Sequence, residues 1–131
     1  MLVLDSGGVS RLAERSQHAA ALILALREEG LWPPVVPSVV LVECLQGHAR
    51  RDALANRFLK TCDVVEEIPE PLARRAALLR RQARRGSAVD ALVVASAARR
   101  GDDLITTEHD DLTALAAVAD GVGRILDLNA L

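Results

Sequence analysis

The chain has 131 residues and a formal net charge of −2, one domain's worth of polypeptide. Half of it is hydrophobic and 26% is charged, which excludes a disordered chain and describes one able to bury a core without staples. No apolar run approaches the roughly 20 residues that span a bilayer, and Met1 to Asp5 lacks the basic region of a secretory leader, so a cytoplasmic protein is expected.

Leu2 to Asp5 reads as a short buried strand ending on a carboxylate, with Ser6-Gly7-Gly8 as the turn that breaks it. Val9 to Arg15 and Gln17 to Glu29 read as helices, the second stopped by Gly30. Trp32-Pro33-Pro34 is a turn and Val35-Val36 a minimal strand. A helix is expected from Ser38, its N-cap, through Glu43 to Gly47, and another from Asp52 to Lys60. Val64 to Ile68 is a strand. Pro69 to Arg85 is an amphipathic helix with Leu72, Ala76, Leu79 and Ala83 on one stripe.

Ser87 caps a helix from Ala88 to Arg100, whose Ala91, Ala95 and Ala98 suit close packing against a sheet. Leu104 to Thr106 is a strand, Thr107 to Asp110 a polar loop, Asp111 to Val118 a helix, and Arg124 to Leu128 a last strand. Alternating strands and helices imply a three-layer α/β/α sandwich with a mostly parallel central sheet, formed by a single domain over residues 1–131. In such sheets ligands sit outside the carboxyl ends of the strands. Asp5 and Glu108 fall at or just after such ends.

Four acidic positions stand out. Asp5 follows a buried strand, where a carboxylate needs a cation or backbone amides, so it is either a site residue or the cap of the next helix. Glu43 is the one charge in an otherwise apolar helix start, and an exposed helical position is the alternative. Asp90 lies in the first turn after Ser87, where the helix dipole alone would favour it. Thr106 to Leu112 packs Glu108, Asp110 and Asp111 into four positions, as a ligand loop or as a solvated loop capping the last helix.

Four segments together resemble the PIN-domain family, and within it the VapC toxins. They are Leu2-Val3-Leu4-Asp5-Ser6, Pro37-Ser38-Val39-Val40-Leu41-Val42-Glu43, Val89-Asp90-Ala91-Leu92-Val93-Val94-Ala95 and Leu104-Ile105-Thr106-Thr107-Glu108-His109-Asp110-Asp111-Leu112. The resemblance implies an endoribonuclease using Mg²⁺ or Mn²⁺, a homodimer, and a cognate VapB-like antitoxin that inhibits it. It maps the acidic site onto Asp5, Glu43, Asp90 and Glu108, as catalytic and metal-binding residues, with Asp110 as an additional acid. Ser6 and Thr106 would support the carboxylates. Two departures from the family are the Gly7-Gly8 pair, where a second hydroxyl and an apolar residue are usual, and Glu108, where Asp is usual. They keep open the alternative of a catalytically impaired PIN-like module that binds RNA or protein.

The rest of the chain adds little chemistry. Cys44 and Cys62 lie in no CxxC or zinc-type spacing and are expected as free thiols. His109 is a lone loop histidine that a metal mechanism does not need. Basic charge is almost all arginine, mostly in pairs (Arg50-Arg51, Arg74-Arg75, Arg80-Arg81, Arg84-Arg85 and Arg99-Arg100), a residue suited to phosphate because its planar fork binds two oxygens. Leu12, Leu31, Trp32 and Leu45 are candidates for an apolar groove that an antitoxin would cover.

Overall fold

The computed structural model describes residues 1–130; Leu131, the end of the expected single-domain span, lies outside them. Five strands, β1 (Leu2–Leu4), β2 (Val35–Pro37), β3 (Asp63–Val65), β4 (Asp103–Thr106) and β5 (Ile125–Asp127), form one sheet in the order β3-β2-β1-β4-β5. All the pairings are parallel, with Val3 opposite both Val35 and Leu104. Parallel strands are covered on both faces, which is why β1 is an unbroken apolar run with every residue buried. Connections run from β1 outward to β3, then cross back to β4 on the other side of β1. The chain therefore changes direction between β1 and β4, and a crevice opens at their carboxyl ends.

The helices form two packs, both seated on β1 and β4. One holds α1 (Ser6–Ala13), α2 (Gln17–Glu28), α3 (Leu41–Cys44) and α4 (Ala53–Leu59); the other holds α5 (Glu70–Ala83), α6 (Ala88–Ala98) and α7 (His109–Ala117). This is the expected three-layer arrangement. α6 is apolar almost all round and mostly buried, as a central helix must be. Its Ala91, Ala95 and Ala98 are in the core, as the sequence suggested. Large side chains such as Leu2, Leu4, Leu104 and Ile105 are fully buried, each contributing about 1.5–3 kcal/mol of transfer free energy.

Several local expectations are corrected. Ser6-Gly7-Gly8 is not a turn but the first turn of α1, because Asp5 caps it by accepting the Gly8 N–H at 2.8 Å. Glycine is the poorer helix former, but tertiary packing overrides propensity here. A Cβ on Gly7 would overlap Thr107 Oγ1 and lie 3.0 Å from Thr107 Cβ, and one on Gly8 would lie 2.9 Å from the Ile105 carbonyl. The pair lets α1 sit directly against the end of β4. Ser38 caps nothing: its hydroxyl donates to the Glu66 carbonyl at 3.2 Å. Residues Ser38–Val40 form a 3-10 turn leading into the short α3, which ends at Cys44, well before Gly47.

The strand expected from Val64 to Ile68 covers only Asp63–Val65, and α7 starts at His109, two residues early. Of the groove candidates, Leu12 is 1% exposed and belongs to the core. Trp32 is half-buried, edge-on to Phe58 and beneath the Arg27 guanidinium. No helix among the described residues is long and apolar enough to cross a membrane.

Candidate metal centre

Three helices begin around the crevice at the ends of β1 and β4, and each brings an acid. Asp5 leaves β1 and is the N-cap of α1, with 3% of its surface exposed. Its Oδ1 accepts the Gly8 N–H and its Oδ2 accepts the Thr106 hydroxyl at 2.6 Å. The Thr106 oxygen in turn accepts the Glu108 N–H at 2.7 Å. One buried threonine thus fixes the Asp5 carboxylate and the start of the β4–α7 loop together. Ser6, expected beside it in a supporting role, opens α1 without a side-chain hydrogen bond to a carboxylate among the described residues.

Asp90 is the third residue of α6 and is 6% exposed. It closes a capping box with Ser87: the Asp90 N–H donates to the Ser87 hydroxyl, and the Ser87 N–H donates to Asp90 Oδ2, both at 3.0 Å. Glu108 is the exposed N-cap residue of α7, and Asp111 follows in its first turn. One carboxylate oxygen each from Asp90, Glu108 and Asp111 lies within 4.8 Å of the other two. Asp5 and Glu43 stand outside that group but near enough for their charges to act on it. Burial raises the Asp5 carboxyl above its usual range, opposed by the Thr106 and Gly8 hydrogen bonds and reinforced by the charges of Asp90 and Glu43. Burial also raises Glu108, with Asp90, Asp5, Glu43 and Asp111 adding like-charge repulsion.

The structure therefore brings Asp90 and Glu108 together from two segments, with Asp5 and Glu43 on two others near enough for their charges to act. It adds Asp111, where the sequence reading had favoured Asp110. Asp110 lines one depression together with Glu108 and Asp111 but is not part of the 4.8 Å group. The choice follows from the helix start, because neighbours on a helix point about 100° apart. Asp111 Oδ1 also accepts from Arg85 Nε at 2.8 Å, an ion pair the sequence did not reveal.

A second missed carboxylate is Asp52, which does not ligate anything in the crevice. It is buried and accepts the N–H groups of Gln46, Gly47 and His48 at 2.9–3.1 Å, which folds the α3–α4 loop and holds its pKa below the usual range. Both cysteines are free and half-buried, and burial pushes the Cys62 thiol to about 11, far from a reactive thiolate.

This donor set is all oxygen, which fits a hard divalent cation such as Mg²⁺ or Mn²⁺ and not zinc, whose sites favour nitrogen and sulfur. Grouped carboxylates repel one another, so their juxtaposition favours cation binding over metal-free stability.

The residue pattern of the PIN domain family matches residues 2–118. The chain belongs to the PIN domain family. Its fold is shared with solved structures at low sequence identity. A chain of the FitAcB crystal structure from Neisseria gonorrhoeae aligns over 100% of both chains at 15% identity, with a TM-score of 0.67. A chain of FitAB bound to the IR36 DNA fragment aligns over 97% of this PIN domain and 94% of that chain at 18% identity, with a TM-score of 0.63. No curated protein matches the sequence.

Proposed function

We propose that this PIN domain is a Mg²⁺- or Mn²⁺-dependent endoribonuclease and the toxin of a toxin–antitoxin pair, acting in the cytoplasm as a homodimer held in check by a VapB-like antitoxin. The observation that carries the proposal is the convergence of Asp90, Glu108 and Asp111 within 4.8 Å, beside the buried Asp5, in the crevice where α/β sheets bind ligands. Three of the four segments that resemble VapC toxins contribute these acids, and the other contributes Glu43. The fold neighbour FitAB is bound to a DNA fragment.

In this reading Asp5 and Asp90, both anchored by hydrogen bonds, hold the cation. A bound divalent ion supplies a water that is nucleophilic near neutral pH and offsets charge on the phosphodiester transition state. Glu43, exposed on α3, orients the attacking water across the crevice. Glu108 completes the ligand set, and its extra methylene reaches inward from an exposed backbone position. Thr106 keeps Asp5 and the Glu108 backbone in register.

The test is cleavage of a mixed RNA pool by the purified, antitoxin-free chain in Mn²⁺, Mg²⁺ and EDTA, beside Asp90→Asn. Metal-dependent cutting that the substitution abolishes is expected. A folded protein that neither cuts RNA nor binds Mn²⁺ would overturn the enzyme and leave a non-catalytic module.

A further inference from the structure

We infer that the arginine basin at the end of α5 is where the phosphates of the RNA strand seat before entering the acidic crevice; this rests on the nuclease reading. Arg80, Arg81, Arg84 and Arg85, with Ala77 and Gly86, line one open depression of about 460 Å³. From Arg74 to Arg85 the chain carries six arginines and no acid. Basic charge is thus concentrated here in a protein whose net charge is −2.

The basin adjoins the site directly. Arg85 lines both this depression and the neighbouring acidic one with Glu108 and Asp111, and its guanidinium is bonded to Asp111. Arg85 therefore separates the three other guanidinium forks, of Arg80, Arg81 and Arg84, from the carboxylates proposed to cut. Arginine forks match phosphate oxygens in pairs and read no sequence.

A helix C-terminus favours cations, which explains Arg80 and Arg81 without any ligand. It does not explain why position 84, the C-cap, holds an arginine and not a glycine. That residue has φ of 57°, and it is the one non-glycine residue with positive φ among the described residues. Glycine is the default in this position because any Cβ is strained there. Glycine would suit the backbone better, and among the described residues the Arg84 guanidinium has no hydrogen-bond or ion-pair partner, which leaves its fork free for a phosphate.

The experiment is binding of a short, unstructured, fluorescently labelled RNA in EDTA, where no cutting interferes, across a salt series. Arg81→Gln with Arg84→Gly should weaken binding roughly tenfold or more. It should also make the log–log salt slope shallower by about 1.4, since each single-strand phosphate contact contributes about 0.7. Arg84→Gly alone should weaken binding while leaving the melting temperature equal or higher. Arg99→Gln with Arg100→Gln, at the far end of α6, should bind as the wild type does.

Wild-type affinity in the Arg81/Arg84 variant would overturn the inference. So would an equal loss in the Arg99/Arg100 pair, a fall in melting temperature for Arg84→Gly, or no RNA binding by the wild-type chain. RNA that binds through the basin but is never cut with Mn²⁺ or Mg²⁺ would overturn the nuclease reading and support this one.

Discussion

Replacing Asp90 by Asn should stabilise the metal-free protein and destabilise it relative to wild type when cation is present. Asn keeps the shape and an oxygen that accepts the Ser87 N–H, so the capping box survives. What changes is charge. Asp90 stands within 4.8 Å of Glu108 and Asp111 oxygens, and Asp111 is already paired with Arg85. Coulomb repulsion between Asp90 and Glu108 at that distance is about 1 kcal/mol in water and about 3.5 kcal/mol at an effective dielectric of 20. Glu108 is exposed, so the lower part of that range applies, about 1–2 kcal/mol.

Against it stands the helix-dipole interaction lost with the charge, about 0.3–1 kcal/mol. The net gain is about 0–1.7 kcal/mol, or up to roughly 7 °C in melting temperature for a chain of this size. A cation at a hundred times its dissociation constant stabilises wild type by about 2.7 kcal/mol, which reverses the order. Circular-dichroism melts of both proteins in EDTA and in Mn²⁺ read this directly. A variant less stable than wild type in EDTA would reduce Asp90 to a helix cap, and an identical response of both proteins to Mn²⁺ would remove it from the cation site.

The metal-free protein should lose stability as pH rises from about 4 upward, because the Asp5 and Glu108 carboxyls are raised in the fold above their unfolded values near 3.9 and 4.3. Asp52 and Asp103 are lowered and act in the opposite sense only below about pH 4. Urea midpoints in EDTA should therefore fall with pH and flatten in Asp5→Asn; midpoints that climb across this range would contradict the burial of an ionised Asp5. Gly7→Ala should destabilise by about 1–3 kcal/mol through overpacking on Thr107, less the roughly 1 kcal/mol that alanine gains in a helix. Adding Thr107→Gly should recover most of that loss in chemical denaturation, and no recovery would place the clash elsewhere. Asp52→Ala frees three backbone amides and should speed hydrogen exchange at Gln46, Gly47 and His48 without changing Mn²⁺ affinity; altered affinity would join this loop to the site.

Strand identity was legible because parallel strands are short apolar runs, and helices such as α5 and α6 because their periodicity or caps are strong. Features that depend on tertiary approach were not. Gly7-Gly8 looks like a turn in any window of sequence, and only the nearness of Thr107 and the Ile105 carbonyl explains a helix there. The acids at 108, 110 and 111 are equivalent in sequence, and their roles separate only once α7 is known to start at His109. The Asp52 loop carries no period at all, since its order comes from one side chain gathering consecutive N–H groups. Likewise Arg85–Asp111 spans 26 positions, and nothing local announces it.

Capping and metal binding are not rival explanations of the same aspartates. Asp5 caps α1, Asp90 closes the box at the start of α6, and Glu108 and Asp111 stand at the start of α7. Three helix N-termini therefore direct their positive ends at one crevice, each offsetting negative charge by about 0.3–1 kcal/mol. That offset, with the Arg85 ion pair, lets a metal-free chain fold around carboxylates that repel one another. A residue that serves the helix can thus serve a cation with its remaining lone pairs, the dual role proposed for Asp5 and Asp90. Alanine substitutions at these positions would remove cap and charge together, whereas asparagine removes the charge alone, and the difference between the two measures how much of each carboxylate belongs to the fold.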